Sequence, residues 1–328
     1  MTTPSFVPGR RRLLQAGTGL GLAALTPARV LAQAGNKNIR IGYQKSSTLL
    51  TILKANGTLE KLLAPTGAKI SWHEFTSGLP LLEALNVGGV DLSADVADTV
   101  PVFAQAAGAQ LAYVAQESPS PAAQAIVVRS DTPLRKVTDL KGRKVAVTKA
   151  AGVHYLLIAT LEKAGLKFSD VDVAYLSPAD GRAAFERGSV DAWVTWDPFL
   201  AGVQRQSPVR ILADGRDVAD YQRDYLASAS FAQARPDVLR VVFDELRKTG
   251  TWVKQQPREA AAFLAPLWGL DADTIALANG RRSYEVRAVR PDSLGEQQRI
   301  ADTFLAAGLL PRKVNTADVA IWTPQQAG

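Results

Sequence analysis

One short pattern occurs twice in this chain, 100 residues apart: a run typical of a helix, a glycine, then Val-Asp and an apolar strand. The first copy contains Gly88 and Val90-Asp91, and the second contains Gly188 and Val190-Asp191. A glycine at this point ends a helix, and the apolar residues that follow fit a buried strand. A repeat of this length predicts two α/β lobes of similar construction with a cleft between them.

The amino terminus has the features of a secretory leader. Arg10, Arg11 and Arg12 precede the uncharged stretch Leu13–Pro27, and Ala32-Gln33-Ala34 places small residues at the positions that a signal peptidase reads. We therefore predict a signal peptide over residues 1–34 and an exported protein. Ordinary secretion and the twin-arginine route both remain open. The 15-residue stretch is shorter than a bilayer span, which needs roughly 20 residues, so we do not expect a membrane-embedded protein.

Charge and composition remove several classes of function. The chain carries a net charge of +7, but residues 1–34 hold four arginines and no acid, which leaves 7 − 4 = +3 for the remainder. A nucleic-acid partner requires a clustered basic face and is therefore not expected. The chain has no cysteine and two histidines, which argues against thiol catalysis, a lipid tether on cysteine, and a metal site. We expect no cofactor.

The order of predicted elements divides the chain after the leader into three parts. Strand and helix patterns alternate up to a first crossing near Pro121–Ala125 and resume until a second crossing near Asp214–Asp224. After Pro236 we predict helices only. The predicted segments are lobe I over 35–122, lobe II over 123–218, and a return to lobe I with C-terminal helices over 219–328.

Two strand-to-helix turns, one in each lobe, are predicted to face the cleft. They are Tyr43–Ser47 and Thr148–His154. A helix N-terminus presents unpaired N–H groups and about half a positive charge, so two of them can hold an anion together. Ordinary helix capping would explain each serine equally well, and a local hydrogen bond would explain His154 equally well. The candidate ligand-binding residues in these turns are Gln44, Lys45, Ser46, Ser47, Thr148, Gly152, Val153 and His154.

Three further candidates lie near the carboxyl ends of predicted strands, where open α/β sheets bind their ligands. Trp196 offers a wall for an apolar tail, and Asp197 either pins its loop or accepts a bond from an ammonium or amide group. A core tryptophan beside a structural Asp-Pro turn is the alternative for this pair. Asp98 follows the first copy of the repeat, where a carboxylate repels an anion unless it points away.

Six segments of the chain together carry a family pattern: Ile41–Lys45, Leu82–Gly88, Pro101–Gly108, Ala164–Lys167, Ser177–Asp180 and Asp191–Phe199. In their order and spacing they resemble the periplasmic binding proteins of ABC importers for aliphatic sulfonates, with taurine and nitrate binders as wider relatives. The resemblance implies an α/β, type II "Venus flytrap" fold with a ligand cleft between its lobes. It also implies a periplasmic, monomeric substrate-binding subunit that delivers a small organosulfonate to a permease and is not an enzyme.

The sequence departs from this pattern at both turns. Lys149–Gly152 stands where the family commonly has Lys-Gly-Ser-Ser, and the loop Ser93–Thr99 is more acidic than usual. Taurine, nitrate, a sulfate ester or an aromatic sulfonate therefore remain alternative ligands, and a periplasmic sensor subunit remains an alternative role. An enzyme is less favoured, because the chain has no Gly-x-Ser-x-Gly nucleophile motif.

Overall fold

The computed structural model describes residues 38–324, which form a mixed α/β structure. The predicted signal peptide and its export route lie outside the described residues. Within those residues no single helix has the length and apolar character needed to cross a membrane, whereas the bent pair Pro257–Trp268 and Ala272–Arg281 meets that test by length and composition.

Twelve strands are found in the described part of the chain. They are β1 (Asn38–Gln44), β2 (Lys69–Phe75), β3 (Leu92–Ala97), β4 (Leu111–Glu117), β5 (Gln124–Arg129), β6 (Lys144–Val147), β7 (Asp172–Tyr175), β8 (Ala192–Trp196), β9 (Val209–Asp214), β10 (Arg223–Ser228), β11 (Val286–Arg287) and β12 (Ala320–Ile321).

Twelve α-helices accompany these strands over the same residues. They are α1 (Thr48–Asn56), α2 (Thr58–Leu63), α3 (Gly78–Asn86), α4 (Thr99–Ala106), α5 (Gly152–Lys163), α6 (Pro178–Glu186), α7 (Phe199–Gln206), α8 (Ala229–Ala234), α9 (Pro236–Gln255), α10 (Pro257–Trp268), α11 (Ala272–Arg281) and α12 (Gly295–Ala306).

The strands form two separate sheets, which we call the first and second sheet. The first has the order β11-β4-β10-β3-β1-β2 with β12 beside β4, and the second has the order β7-β6-β8-β5-β9. The second sheet uses one continuous stretch of chain, residues 124–214. The first sheet is completed late in the chain by β10, which lies antiparallel between β3 and β4.

Both copies of the sequence repeat build the same local structure. In each copy the glycine has positive φ, +75° and +72°, and ends a helix before the buried strand begins. Asp91 accepts a hydrogen bond from the backbone N–H of Arg40 at 2.8 Å, and Asp191 accepts one from the backbone N–H of Lys144 at 2.9 Å. Each aspartate thus fastens its strand to the neighbouring parallel strand. The predicted two-lobed α/β fold is confirmed.

The two sheets share one core, so the lobes are in contact. A single cluster of buried apolar side chains contains Ala97 and Tyr113 of the first sheet together with Val153 and Trp196 of the second lobe. Strands β3 and β8, which follow the two repeats, are buried along their whole length. Their polar members Ser93, Asp95 and Thr195 are buried together with the apolar ones.

The sequence prediction missed several elements in the second half of the chain. The crossing was predicted near Asp214–Asp224, but β10 begins at Arg223. A charged pair, Arg223 and Asp224, interrupts the apolar pattern that indicates a buried strand. Helix α7 and the short strands β11 and β12 were also missed, and the expectation of helices alone after Pro236 was wrong.

Two helical glycines give a matched test of packing. A Cβ on Gly250 of α9 would collide with the backbone carbonyl of Tyr284, whereas one on Gly280 of α11 would meet nothing within 4 Å. We expect Gly250→Ala to lower the free energy of unfolding by about 1–3 kcal/mol through overpacking. Gly280→Ala should raise it by up to about 1 kcal/mol, because alanine favours a helix. Urea denaturation measures both, and equal effects of the two substitutions would contradict the packing described here.

Candidate functional site

The second predicted turn packs directly on the carboxyl end of the first sheet. A Cβ on Gly152, the first residue of α5, would lie 3.0 Å from Cβ of Ala97 and 2.5 Å from Cε2 of Tyr221. Ala97 ends β3, and Tyr221 lies on the crossing between β9 and β10. The start of α5 therefore marks a point where the two lobes touch, and no side chain fits there.

The first turn is held together by its own side chains. The amide of Gln44 donates to the backbone carbonyl of Asp95 at 2.9 Å, and Ser47 Oγ accepts from the backbone N–H of Gln44 at 3.2 Å. The carbonyl of Ser46 accepts from Arg282 at 3.2 Å. Lys45 is exposed, whereas the other ten predicted site residues are buried. The N-terminus of α1 is thus fixed relative to the end of β3.

The second turn presents backbone rather than hydroxyl donors. Thr148 Oγ1 donates to the carbonyl of Leu176 at 2.9 Å, so this hydroxyl stabilises the turn itself. Ala150 adopts a left-handed conformation with φ +58°, which is uncommon for a residue with a Cβ. Gly152 and Val153 open α5 and are both buried. The donors at this helix start are amide N–H groups.

His154 supports the second turn through both ring nitrogens. The backbone N–H of Ala150 donates to Nδ1 at 3.2 Å, and Nε2 lies 3.3 Å from the hydroxyl of Tyr175. The ring also packs edge-on against Phe304 of α12 at 4.9 Å. Burial, and then the charge of Lys149, lower the pKa of His154 to about 3. The imidazole is therefore neutral at physiological pH.

Trp196 and Asp197 lie at the end of β8, where the second lobe meets α11. Trp196 is buried and packs edge-on against Phe199, with ring centroids 5.5 Å apart. Asp197 accepts from the backbone N–H of Ala201 at 3.0 Å and from Arg281 at 3.0 and 3.2 Å. Burial raises the pKa of Asp197 to about 6, although the charge of Arg281 opposes this rise. The pair Asp197–Arg281 joins the second sheet to the C-terminal helices.

A buried charge cluster lies beneath the first turn, and we define it as Asp95, Glu117, Arg223 and Arg282. Arg223 contacts Asp95 at 2.6 Å. Arg282 contacts Asp95 at 3.1 Å and Glu117 at 2.7 Å. All four side chains are at most 4 % exposed. Two positive and two negative groups offset one another, so Asp95 does not present a free negative charge to the cleft. None of these four residues is among the ligand-binding candidates predicted from the sequence.

Asp98 is engaged inside the first lobe. One carboxylate oxygen accepts from the backbone N–H of Thr99 at 2.9 Å and caps α4, and the other accepts from the backbone N–H of Gln222 at 3.0 Å. Burial raises the pKa of Asp98 to about 7, and the bond from Gln222 limits the rise. The repulsion between Asp98 and an anion that the sequence suggested is thus reduced.

Gln124 is a candidate ligand contact that sequence reasoning missed. It is fully buried, and neither its amide nitrogen nor its amide oxygen has a partner among residues 38–324. It pairs directly with Trp196 on the adjacent antiparallel strand, so the two side chains lie on the same face of the sheet. Both amide atoms are therefore available to a ligand beside the Trp196 wall.

One cavity lies away from these residues. Its volume is about 710 Å³, and it opens between α9 and β11, where Arg247, Lys254 and Tyr284 are among its walls. None of the eleven predicted site residues lines it. Across residues 38–324 no group of three or more histidine, aspartate or glutamate side chains is placed to hold a metal ion.

The fold is that of the periplasmic binding proteins, and comparison with known proteins gives the family. Residues 74–260 match the family described as NMT1/THI5 like. The chain is 40% identical to the periplasmic aliphatic sulphonate binding protein SsuA from Escherichia coli, with a TM-score of 0.78 over 87% of this chain and 97% of that chain. The protein therefore belongs to the NMT1/THI5-like family, in its aliphatic sulfonate-binding group.

Two further relatives show the range of ligands in this group. The alkanesulfonate-binding protein SsuA from Xanthomonas axonopodis pv. citri, solved bound to MOPS, is 37% identical, with a TM-score of 0.82 over 87% of this chain and 98% of that chain. The taurine-binding periplasmic protein of Escherichia coli is 26% identical over 280 residues, or 79% of this chain and 81% of that protein. The resemblance stated from the sequence is confirmed.

Asp224 on β10 gives a test of the buried acids near the cleft. Its carboxylate lies 3.0 Å from the amide nitrogen of Gln116 and 2.8 Å from that of Gln297. Burial, and then the charge of Asp98, raise the pKa of Asp224 to about 8. An unfolded aspartate titrates near pH 4. Between about pH 4 and pH 8, Asp224 is therefore protonated in the folded state and ionised in the unfolded state. The free energy of unfolding falls as the pH rises through that window.

We expect Asp224→Asn, which is neutral at every pH, to remove this loss. Relative to the parent protein, the variant should gain at least about 1 kcal/mol of unfolding free energy between pH 5 and pH 9, since one pKa unit corresponds to about 1.4 kcal/mol. Urea denaturation at both pH values measures the gain. The control is Asp131→Asn, because the side chain of Asp131 is 83% exposed. An equal gain in both variants would show that Asp224 is ionised in the folded protein.

Proposed function

We propose that this chain is the substrate-binding subunit of an ABC importer, which captures an aliphatic sulfonate in the periplasm and delivers it to the permease. The observation that carries the proposal is the contact of the α5 N-terminus with the end of the first sheet, beside the fixed N-terminus of α1. Two helix starts from opposite lobes are suited to hold one anion. The names of its relatives support the sulfonate as that anion.

The proposed ligand contacts follow from these positions. Amide N–H groups at the two turns would bind the sulfonate oxygens, and Trp196 and Gln124 would contact the rest of the molecule. Lys45 would add positive charge at the exposed edge, while His154, Asp98 and Asp197 would hold the surrounding backbone. The contacts taken from the turns are Gln44, Ser46, Ser47, Thr148, Gly152 and Val153.

The charge balance of the site favours a monoanion. The buried cluster of two arginines and two carboxylates offsets its own charge, so the attraction comes from amide dipoles. A sulfonate carries one negative charge, which two helix termini of about half a charge each can match. A dianion such as inorganic sulfate would keep an uncompensated charge in a buried site, which is costly.

Ligand binding is proposed to act by stabilising the closed form. A ligand shifts the equilibrium between the open and closed forms only by as much as it binds one form more tightly than the other. To favour the closed form, the ligand must therefore contact both lobes. The Asp197–Arg281 pair and the packing of Gly152 on Ala97 are contacts that closure would make. We propose that the lobes comprise residues 35–122 with 219–328, and residues 123–218. We further propose a monomer that catalyses no reaction.

A ligand screen tests the function. Because a ligand that binds only the folded state stabilises it, a true ligand at about 100 times its Kd should add about 2.7 kcal/mol. We expect methanesulfonate, ethanesulfonate or taurine to raise the melting temperature, and sulfate and nitrate to leave it nearly unchanged. Stabilisation by nitrate or sulfate alone would overturn the sulfonate assignment.

Two further experiments test the alternative roles. Release of sulfite during incubation of the protein with a sulfonate would show an enzyme. Normal sulfonate uptake in a strain that lacks the protein would favour a sensor.

The Trp196 wall gives a second test. We expect Trp196→Ala to weaken binding of the sulfonate found in the screen by about 1–3 kcal/mol, because the ring would no longer cover ligand carbon. Titration calorimetry measures the change. The control is Trp252→Ala in α9, which removes a ring packed against Phe263 away from the cleft. Equal affinity of the two variants would remove Trp196 from the site.

A further inference from the structure

The ring of Tyr221 fills the space beside the start of α5. It is 3% exposed, and its Cε2 and Cδ2 atoms are the nearest neighbours of a Cβ built on Gly152. Tyr221 also has φ +53°, a conformation that is a genuine outlier for a bulky residue and requires support from its surroundings. The backbone of the crossing is therefore held in a strained form that directs this ring toward α5.

The ring is held from behind by the buried charge cluster. The hydroxyl of Tyr221 accepts from Arg223 Nη1 at 2.7 Å, and the guanidinium of Arg223 lies 5.3 Å from the ring centroid. Arg223 is fixed in turn by Asp95 at 2.6 Å. An aromatic ring bonded at its far end to an immobilised cation cannot turn aside without breaking that bond. The ring is thus a rigid wall.

We propose that Tyr221 is a specificity-determining residue that limits the width of the ligand next to its sulfonate group. This inference rests on the proposed function. A sulfonate oxygen bound to an amide of the α5 N-terminus lies about 2.9 Å from that nitrogen, so the first carbon of the ligand lies within van der Waals reach of groups that contact Gly152. After the ring of Tyr221, the next nearest atom to a Cβ built on Gly152 is the methyl carbon of Ala97, at 3.0 Å. The site therefore accepts a slim, unbranched first carbon and rejects a ring attached directly to sulfur.

The first test compares ethanesulfonate with benzenesulfonate by titration calorimetry. We expect the parent protein to prefer ethanesulfonate by at least about tenfold, the scale on which a packed apolar pocket discriminates. Tyr221→Ala should reduce this preference by about tenfold, because it opens the wall. Tyr221→Phe should keep the preference, because it keeps the ring. An unchanged preference in Tyr221→Ala would overturn the inference.

Two controls separate the wall from general effects on folding. Tyr225→Phe removes a buried hydroxyl from β10, the strand that follows Tyr221. This hydroxyl donates to Glu117 at 2.7 Å and is not among the near neighbours of Gly152, so the variant should leave the preference unchanged. Thermal unfolding without ligand checks that each variant is folded. If Tyr221→Ala does not fold, Tyr221→Leu takes its place, since leucine fills the core but is narrower than the ring. A preference equal to that of the parent in Tyr221→Leu would likewise overturn the inference.

The second test is a double-mutant cycle between the two partners. Gly152→Ala should weaken binding of ethanesulfonate by about tenfold, because its methyl group and the ring of Tyr221 compete for one space. Gly202→Ala is the control, since a Cβ there would meet only Arg182 at 3.5 Å. The double variant, which carries both Gly152→Ala and Tyr221→Ala, should bind ethanesulfonate more tightly than Gly152→Ala alone. Such non-additivity is expected of residues in contact. Purely additive losses would contradict the inference.

The outcomes for the function and for the inference differ. If the parent protein binds neither sulfonate, the proposed function fails. If it binds both with equal affinity, the proposed function stands and the specificity role of Tyr221 fails.

Discussion

The buried charge cluster is the interaction on which the first lobe depends. Asp95 lies on β3, Glu117 on β4, Arg223 on β10 and Arg282 directly after α11, so four separate parts of the chain meet at one point. Removing one member of a buried ion pair leaves an uncompensated charge, which typically costs about 3–5 kcal/mol. The cluster therefore specifies that the late strand β10 and the C-terminal segment return to this sheet.

The same cluster shapes the cleft in two ways. It binds the backbone of the first turn through the carbonyl of Ser46, which fixes the start of α1. It also holds the ring of Tyr221 through Arg223. Because the charges of the cluster offset one another, the anion binding proposed above depends on amide dipoles. In the second turn, Ala151 and Gly152 offer no hydroxyl that could add to them. Charge balance and anion binding are thus aspects of one arrangement.

The sequence predicted the parts of the fold that depend on local pattern. In both repeats a glycine that ends a helix is followed by an apolar segment, and this pattern predicted β3 and β8. Helix termination and burial can be predicted there because each depends on a few neighbouring residues. The sequence did not predict β10, because Arg223 becomes compatible with a buried strand only through partners that are distant in the chain. The two turns were placed by their strand-to-helix order. The positions of Gln124 beside Trp196 and of Tyr221 beside Gly152 depend on residues distant in the chain, which no local pattern reveals.

The topology also has a consequence for how the chain folds when it is delivered from its amino terminus. The second sheet has all its strands once residue 214 is available. The first sheet has a gap between β3 and β4 until β10 arrives, and β11 and β12 come later still. During vectorial delivery, the half that begins the polypeptide is therefore the half that matures last, and its exposed strand edges are where a chaperone is most needed.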